Sequence, residues 1–135
     1  MKSKIFITAV GIIMISMGFA TKKSFDQTIW TVPDSAKNTK NPITNDVESQ
    51  NSGKVLWGTH CKSCHGAKGL GDGPKAETLK TEPGDFSKNI FQSQTDGAIF
   101  YKISTGKDDM PSFKKKITDQ EDIWNLVNYV RTFKK

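Results

Sequence analysis

Cysteine is scarce in this chain of 135 residues: there are two, Cys61 and Cys64, three positions apart. Two cysteines this close cannot cross-link distant parts of a fold, so a disulfide scaffold is excluded. Apolar residues make up only 35% of the chain, low for a globular protein. A core this thin calls for a staple such as a metal, a disulfide or a cofactor. No segment alternates convincingly like a strand, and no internal repeat is visible. Histidine occurs twice, as His60 and His65, and the methionines are Met1, Met14, Met17 and Met110.

The one long apolar run, Ile5 to Ala20, follows Lys2 and Lys4. Gly18 and Ala20 supply small residues before Thr21, which is the layout of a cleaved secretory signal peptide. The alternative is an uncleaved anchor. Sixteen helical residues reach only ~24 Å, short of a ~30 Å hydrocarbon core. Either way the domain is expected outside the cytoplasm, in the periplasm. Removing residues 1–20 takes basic residues from 20 to 18 against 14 acidic, so the net charge falls from +6 to +4. This mildly basic surface suits acidic redox partners or anionic headgroups. It is too weak and too thinly clustered for nucleic acid.

Three segments are expected. Residues 1–20 form the signal peptide, 21–44 an irregular leader with Pro33 and Pro42, and 45–135 the working domain. Ile29, Trp30 and Val32 are the apolar exceptions in the leader, suited to packing across the domain or to contacting a partner. A helix is expected from Asn45 to about Thr59, with Glu48 as capping-box partner and Val47, Leu56 and Trp57 on its apolar stripe. Gly53 lies inside it, either as a tolerated weak point costing ~1 kcal/mol relative to alanine or as a place where another helix comes close. From Gly66 to Gly84 the chain is rich in Gly and Pro and reads as turns. The Gly69-Leu70-Gly71-Asp72-Gly73 run lacks the spacing and the Lys-Ser/Thr ending of a phosphate loop. A third helix should cover Thr95 to Thr105 and end at Gly106. The last helix opens with Thr118 and Glu121 as a capping box, then repeats Ile123, Leu126, Val127, Val130 and Phe133 at helical spacing.

Cys61-Lys62-Ser63-Cys64-His65 carries the chemistry. Cys-x-x-Cys-His is the spacing of c-type haem attachment. Two thiols one helical turn apart can add to the two vinyl groups of one haem, and the next histidine then falls under the iron as proximal ligand. Zinc would need about four donors, and Cys61, Cys64, His60 and His65 all lie within six residues, too close to close a tetrahedron without strain. A thioredoxin-like pair needs a βαβ context that is not visible. Met110, the methionine left after cleavage, is the expected second axial ligand. Pro111 restrains its backbone, and charged flanks give it little reason to be core. His60, tethered beside Cys61, cannot reach the opposite face.

These motifs, followed by Gly66-Ala67-Lys68-Gly69-Leu70-Gly71-Asp72-Gly73-Pro74 and Met110-Pro111, resemble the class I cytochromes c of bacterial type over about residues 46–135. The resemblance implies an all-α cytochrome c fold, three to five helices around one covalently bound haem c. It implies a crossing of first and last helices at Gly53, Trp57, Leu126 and Tyr129. It also implies a backbone carbonyl accepting from the proximal imidazole, with Gly73 or Pro74 as the candidate. Leu70, Pro74, Leu79, Phe86, Phe91, Ile99, Ile103, Pro111 and Phe113 are expected to wall the haem. With both axial positions filled by protein, the expected role is outer-sphere electron transfer rather than catalysis. Lys62, Lys68, Lys107 and Lys114 to Lys116 are expected to steer acidic partners. The carrier is expected to be a monomer when free. The segment from Trp30 to Pro42 also looks like those preceding cytochrome domains in some respiratory membrane complexes, so an electron-relay subunit is the alternative.

Overall fold

The computed structural model describes residues 30–135. The signal-peptide segment 1–20, with Met1, Met14 and Met17, and Ile29 of the leader lie outside the described residues. The elements in chain order are α1 (Asp34–Lys37), α2 (Val47–His60), α3 (Lys62–His65), a 3-10 turn (Ala76–Thr78), α4 (Asn89–Gln92), α5 (Asp96–Thr105) and α6 (Gln120–Arg131). The described residues form no strand beyond a single bridge pair, Lys107 with Met110, so the fold is all-α as expected. Three helices run ten residues or more; α1, α3 and α4 are single turns of four.

The helix starts correct two expected caps. Asp46, not Asn45, caps α2, its Oδ1 accepting from the Ser49 amide at 2.9 Å. Asn45 is engaged instead by the Gln50 amide group at 2.8 Å. Asp119, not Thr118, caps α6 by accepting from the Glu121 amide at 2.9 Å. A carboxylate there also complements the helix dipole. Thr95 caps α5 as expected, accepting from Ala98 at 3.2 Å while its hydroxyl donates to the Lys37 carbonyl at 2.7 Å.

The buried stripe of α2 is Ser49, Gly53 and Trp57. Val47, expected on that stripe, is 72% exposed. Its register places it off the face that the four-residue spacing of Ser49, Gly53 and Trp57 turns toward α6. This face crosses α6 closely: a Cβ on Gly53 would collide with the Asn125 carbonyl and the Tyr129 Cβ. Buried Asn128 on α6 is fully engaged. Its amide donates to Ser49 Oγ at 2.6 Å and to the Thr44 carbonyl at 3.2 Å, and its oxygen accepts from Asn41 at 2.7 Å. The apolar core lies beside this contact, built from Ile123, Trp124, Leu126, Val127 and Val130 of α6 with Trp57, Ile99, Ile103, Phe113 and Ile117.

The leader is less irregular than expected. It contains α1, which packs on α5. Val32 is buried, and the Lys102 ammonium sits 5.5 Å over the half-buried Trp30 ring. Arg131 secures the end of α6. Its guanidinium donates to Asp96 at 2.8 and 2.6 Å and to the Gln92 and Gln94 carbonyls at 2.9 and 2.6 Å.

Gly53→Ala should destabilise the protein by about 1–3 kcal/mol, because overpacking a rigid backbone contact outweighs the helix propensity gained. Denaturant unfolding of the haem-loaded protein checks this.

Candidate cofactor site

The α2–α3 junction winds Cys61 to His65 into one continuous turn. The Cys61 amide donates to the Trp57 carbonyl at 2.9 Å, and the Cys64 and His65 amides both donate to the Cys61 carbonyl, at 3.2 and 3.0 Å. Residues three apart on a helical turn share a side, so both thiols point from one face. The glycine-rich loop then returns to α3 and supplies its free carbonyls. Gly71 donates to His65 at 2.9 Å, Gly73 to Cys64 at 3.2 Å and Lys75 to Ser63 at 2.9 Å. Helix ends need such donors when they are not in water.

His65 sits in an aromatic nest. Its ring centroid lies 4.7 Å from that of Phe86 and 5.7 Å from that of Trp57. Phe86 stacks on Phe91 at 3.9 Å, and Trp57 meets Phe133 edge-on at 5.0 Å. The Trp57 indole donates to the Gly66 carbonyl at 3.1 Å, both groups being buried. This bond ties the body of α2 to the residue after His65.

The electrostatics favour neutral donors. Burial pushes the Cys61 thiol up to about 12, and the neighbouring Cys64 adds to this. Burial pulls His65 down to about 4, outweighing the Pro83 carbonyl, which favours the protonated ring. Burial acts against the charged form in both cases. The His65 Nδ1 atom is buried without a formed hydrogen bond, so the Pro83 carbonyl acts on the ring more loosely than a closed bond would. The sequence expectation named Gly73 or Pro74 for this role. The Gly73 carbonyl instead accepts from the Ala76 amide at 2.8 Å, and Pro83, ten residues later, brings a carbonyl to the ring.

Met110 occupies a tight turn after α5 and is partly buried against the apolar core. Ile99, Ile103 and Phe113 are buried there, while Phe86 and Phe91 are half-buried beside His65. Leu79 is half-buried, and Leu70, Pro74 and Pro111 are exposed. The structure thus gathers Ile99, Ile103 and Phe113 in the core with Met110, Phe86 and Phe91 packed against it, Phe86 alone of these rings meeting His65, while Leu70, Pro74 and Pro111 are exposed. His60 faces Phe113, ring to ring at 5.8 Å. Pro83 and the Trp57–Gly66 bond escaped sequence reasoning. Nothing in a Gly/Pro-rich run marks which carbonyl will face the ring, and Trp57 reads only as an apolar residue.

Among the described residues no three His, Cys, Asp or Glu side chains gather to hold a bare metal ion. The side chains present fit a haem instead: two free thiols on one turn, an adjacent imidazole held neutral by burial, a partly buried thioether and aromatic walls.

This fold and this donor set define a c-type cytochrome, an electron carrier with covalently bound haem c. Residues 48–130 match the family described as cytochrome c oxidase, cbb3-type, subunit III, and the chain belongs to that family. Among solved structures, it resembles a chain of the Kuenenia stuttgartiensis reducing HAO-like protein complex Kustc0457/Kustc0458, with 27% identity and a TM-score of 0.64. That match covers 70% of this chain but only 47% of the other. The KustC0563 c-type cytochrome is 35% identical at a TM-score of 0.54, over 62% of this chain and 98% of its own. Cytochrome cL from the marine methylotroph Methylophaga aminisulfidivorans shares the fold, with 22% identity, a TM-score of 0.50 and coverage of 64% and 54%. No curated protein matches the chain.

Trp57→Phe keeps an aromatic ring but removes the shorter hydrogen bond to the buried Gly66 carbonyl, leaving it only the Gly69 amide at 3.4 Å. The haem-loaded variant should lose about 1–2 kcal/mol of stability, read by denaturant unfolding followed in the far ultraviolet.

Proposed function

We propose that Cys61 and Cys64 hold the haem through thioether links, that His65 and Met110 are its axial ligands, and that the protein carries single electrons outside the cytoplasm by outer-sphere transfer. The observation that supports this best is the helical turn that presents both thiols on one side and sets the neutral His65 ring in an aromatic nest beside them. When bound, the haem supplies a one-electron iron couple. The protein's part is to bind, orient and exclude water. His65, neutral by burial, needs no deprotonation to act as a donor. Met110 offers a thioether, which favours the reduced state relative to a second histidine. Two protein ligands leave no position for a substrate, which is why the reading is a carrier and not an enzyme.

Exposed Lys62, Lys68 and Lys114 to Lys116, with the half-buried Lys107, are the groups that would steer acidic partner proteins to a monomeric carrier. A second reading is an electron-relay subunit of a membrane respiratory complex. Two observations favour it: the oxidase-subunit family of the chain and its likeness to a chain of a multi-protein complex. No described helix is long and apolar enough to cross a membrane. Co-purification of the chain with a membrane oxidoreductase would select the second reading over a free periplasmic shuttle.

The ligand assignment is tested by optical spectra of the purified protein. The haem should resist acid-acetone extraction, and the oxidised form should show a weak sulfur-to-iron charge-transfer band. Met110→Ala should abolish that band; if the band persists, the assignment is wrong. Cys61→Ala with Cys64→Ala should give colourless protein.

A further inference from the structure

The Met110 turn is stitched to α5 on one side. Lys107 and Met110 exchange backbone hydrogen bonds of 2.8 and 2.9 Å, and Asp108 turns between them at φ 51°, a conformation Asp tolerates better than most residues. Gly106, at φ 66°, lies so near the Met110 carbonyl and the Pro111–Ser112 backbone that a Cβ has no room. Past the turn, Ser112 Oγ donates to the Ser104 carbonyl at 2.6 Å, and the Phe113 amide donates to Ile103 at 3.2 Å. The Lys107–Met110 pair closes the turn, and the Ser112 and Phe113 bonds hold it to its own helix.

A different group reaches across. Asp109 Oδ2 accepts from the backbone amides of Lys80 at 2.7 Å and Thr81 at 3.1 Å, 29 and 28 residues away in sequence. The segment it grips leads from the 3-10 turn to Phe86 and includes Pro83. These are the residues that face His65, Pro83 through its carbonyl and Phe86 through its ring. Asp109 is the neighbour of Met110, so the turn that carries Met110 is tied directly to the segment that faces His65.

We propose that Asp109 is a positioning residue that couples the Met110 turn to the 80–86 segment backing His65, so that the two axial supports hold or yield together. This rests on the axial roles proposed for Met110 and His65. A carboxylate suits the task. It is an acceptor with several lone pairs, and one oxygen can take two amides in charge-assisted bonds. Lys80 and Thr81 lie in a stretch with no helix or strand of its own, so a side-chain acceptor does for them what a regular element does elsewhere.

The test uses the haem-loaded protein with imidazole as the probe. In Asp109→Ala, imidazole should displace the Met110 sulfur with about tenfold higher affinity, the equivalent of roughly one charge-assisted hydrogen bond lost. The Lys80 and Thr81 amides should exchange with deuterium about tenfold faster on the same ground. Asp109→Asn, which keeps a side-chain carbonyl oxygen, should restore most of both effects. Glu77→Ala, which removes an exposed carboxylate from the neighbouring 3-10 turn, should behave as the parent. Wild-type imidazole affinity in Asp109→Ala would overturn the coupling, even if the two amides exchange faster. So would unchanged amide exchange. If the charge-transfer band survives Met110→Ala, the axial reading falls and the coupling falls with it. If that band is lost while Asp109→Ala binds imidazole like the parent, the coupling alone falls.

Discussion

The close crossing of α2 and α6 at Gly53 is the constraint on which the site depends. It brings the α2 backbone against Asn125 and Tyr129, and so fixes the rotation of α2 about its axis. One turn later that rotation aims Trp57 inward, where its indole reaches Gly66. Two turns later it sets the direction in which Cys61, Cys64 and His65 emerge. Little apolar surface on α2 does this. Its buried residues are Ser49, Gly53 and Trp57, so the register is set by a missing side chain, a hydrogen bond to Asn128 and one large ring. A buried polar pair that is fully satisfied costs little and specifies strongly, because any slip would strand it.

Burial unites the chemistry of the turn. The same apolar surroundings push a thiol up and an imidazole down, since both shifts favour the uncharged form. The result is a set of donors that carry no charge of their own into the interior. A buried ion would have needed a partner and further hydrogen bonds to offset its lost hydration. The half-buried rings of Phe86 and Phe91 belong to the same logic: they raise the cost of charge near His65 without offering it a hydrogen bond.

Much of this was legible in the sequence because it rests on strict local spacing. Cys61, Cys64 and His65 had to share a turn, and the 3.6-residue period of Ile123, Leu126, Val127 and Val130 had to give a buried helix face. Gly53 was readable as a contact point because an interior glycine has few other uses. The helix caps were off by one residue, since Asn45 next to Asp46 and Thr118 next to Asp119 offer near-equal acceptors that only tertiary competition separates. Val47 was misplaced because α2 lacks a continuous apolar stripe from which to set a phase. The single-turn α1 was missed because a four-residue helix has no period to detect and is stabilised by α5 rather than by itself. Pro83 was out of reach for another reason. Which carbonyl of an irregular loop faces a ring depends on where Phe86 is anchored, and that anchor, its amide on the Gly69 carbonyl at 2.7 Å, joins residues far apart in the chain.

The two sides of the site are built by different means, and this bears on how they respond to change. The His65 side is an extension of a fourteen-residue helix, braced by aromatic rings and by three amides of a returning loop. A helix end of this kind yields only if α2 moves as a body. The Met110 side is a two-residue turn between charged neighbours, held by single hydrogen bonds to α5 and by one carboxylate to a loop. Local opening is easiest where single hydrogen bonds, rather than a regular element, hold the backbone, and the Met110 turn is held that way. Motion between redox states would then be concentrated in the short turn, while the covalent side stays fixed. A carrier gains from that asymmetry. On the proposed ligation, the thiols and imidazole would hold the group's position for docking, and the thioether side would be the one free to adjust.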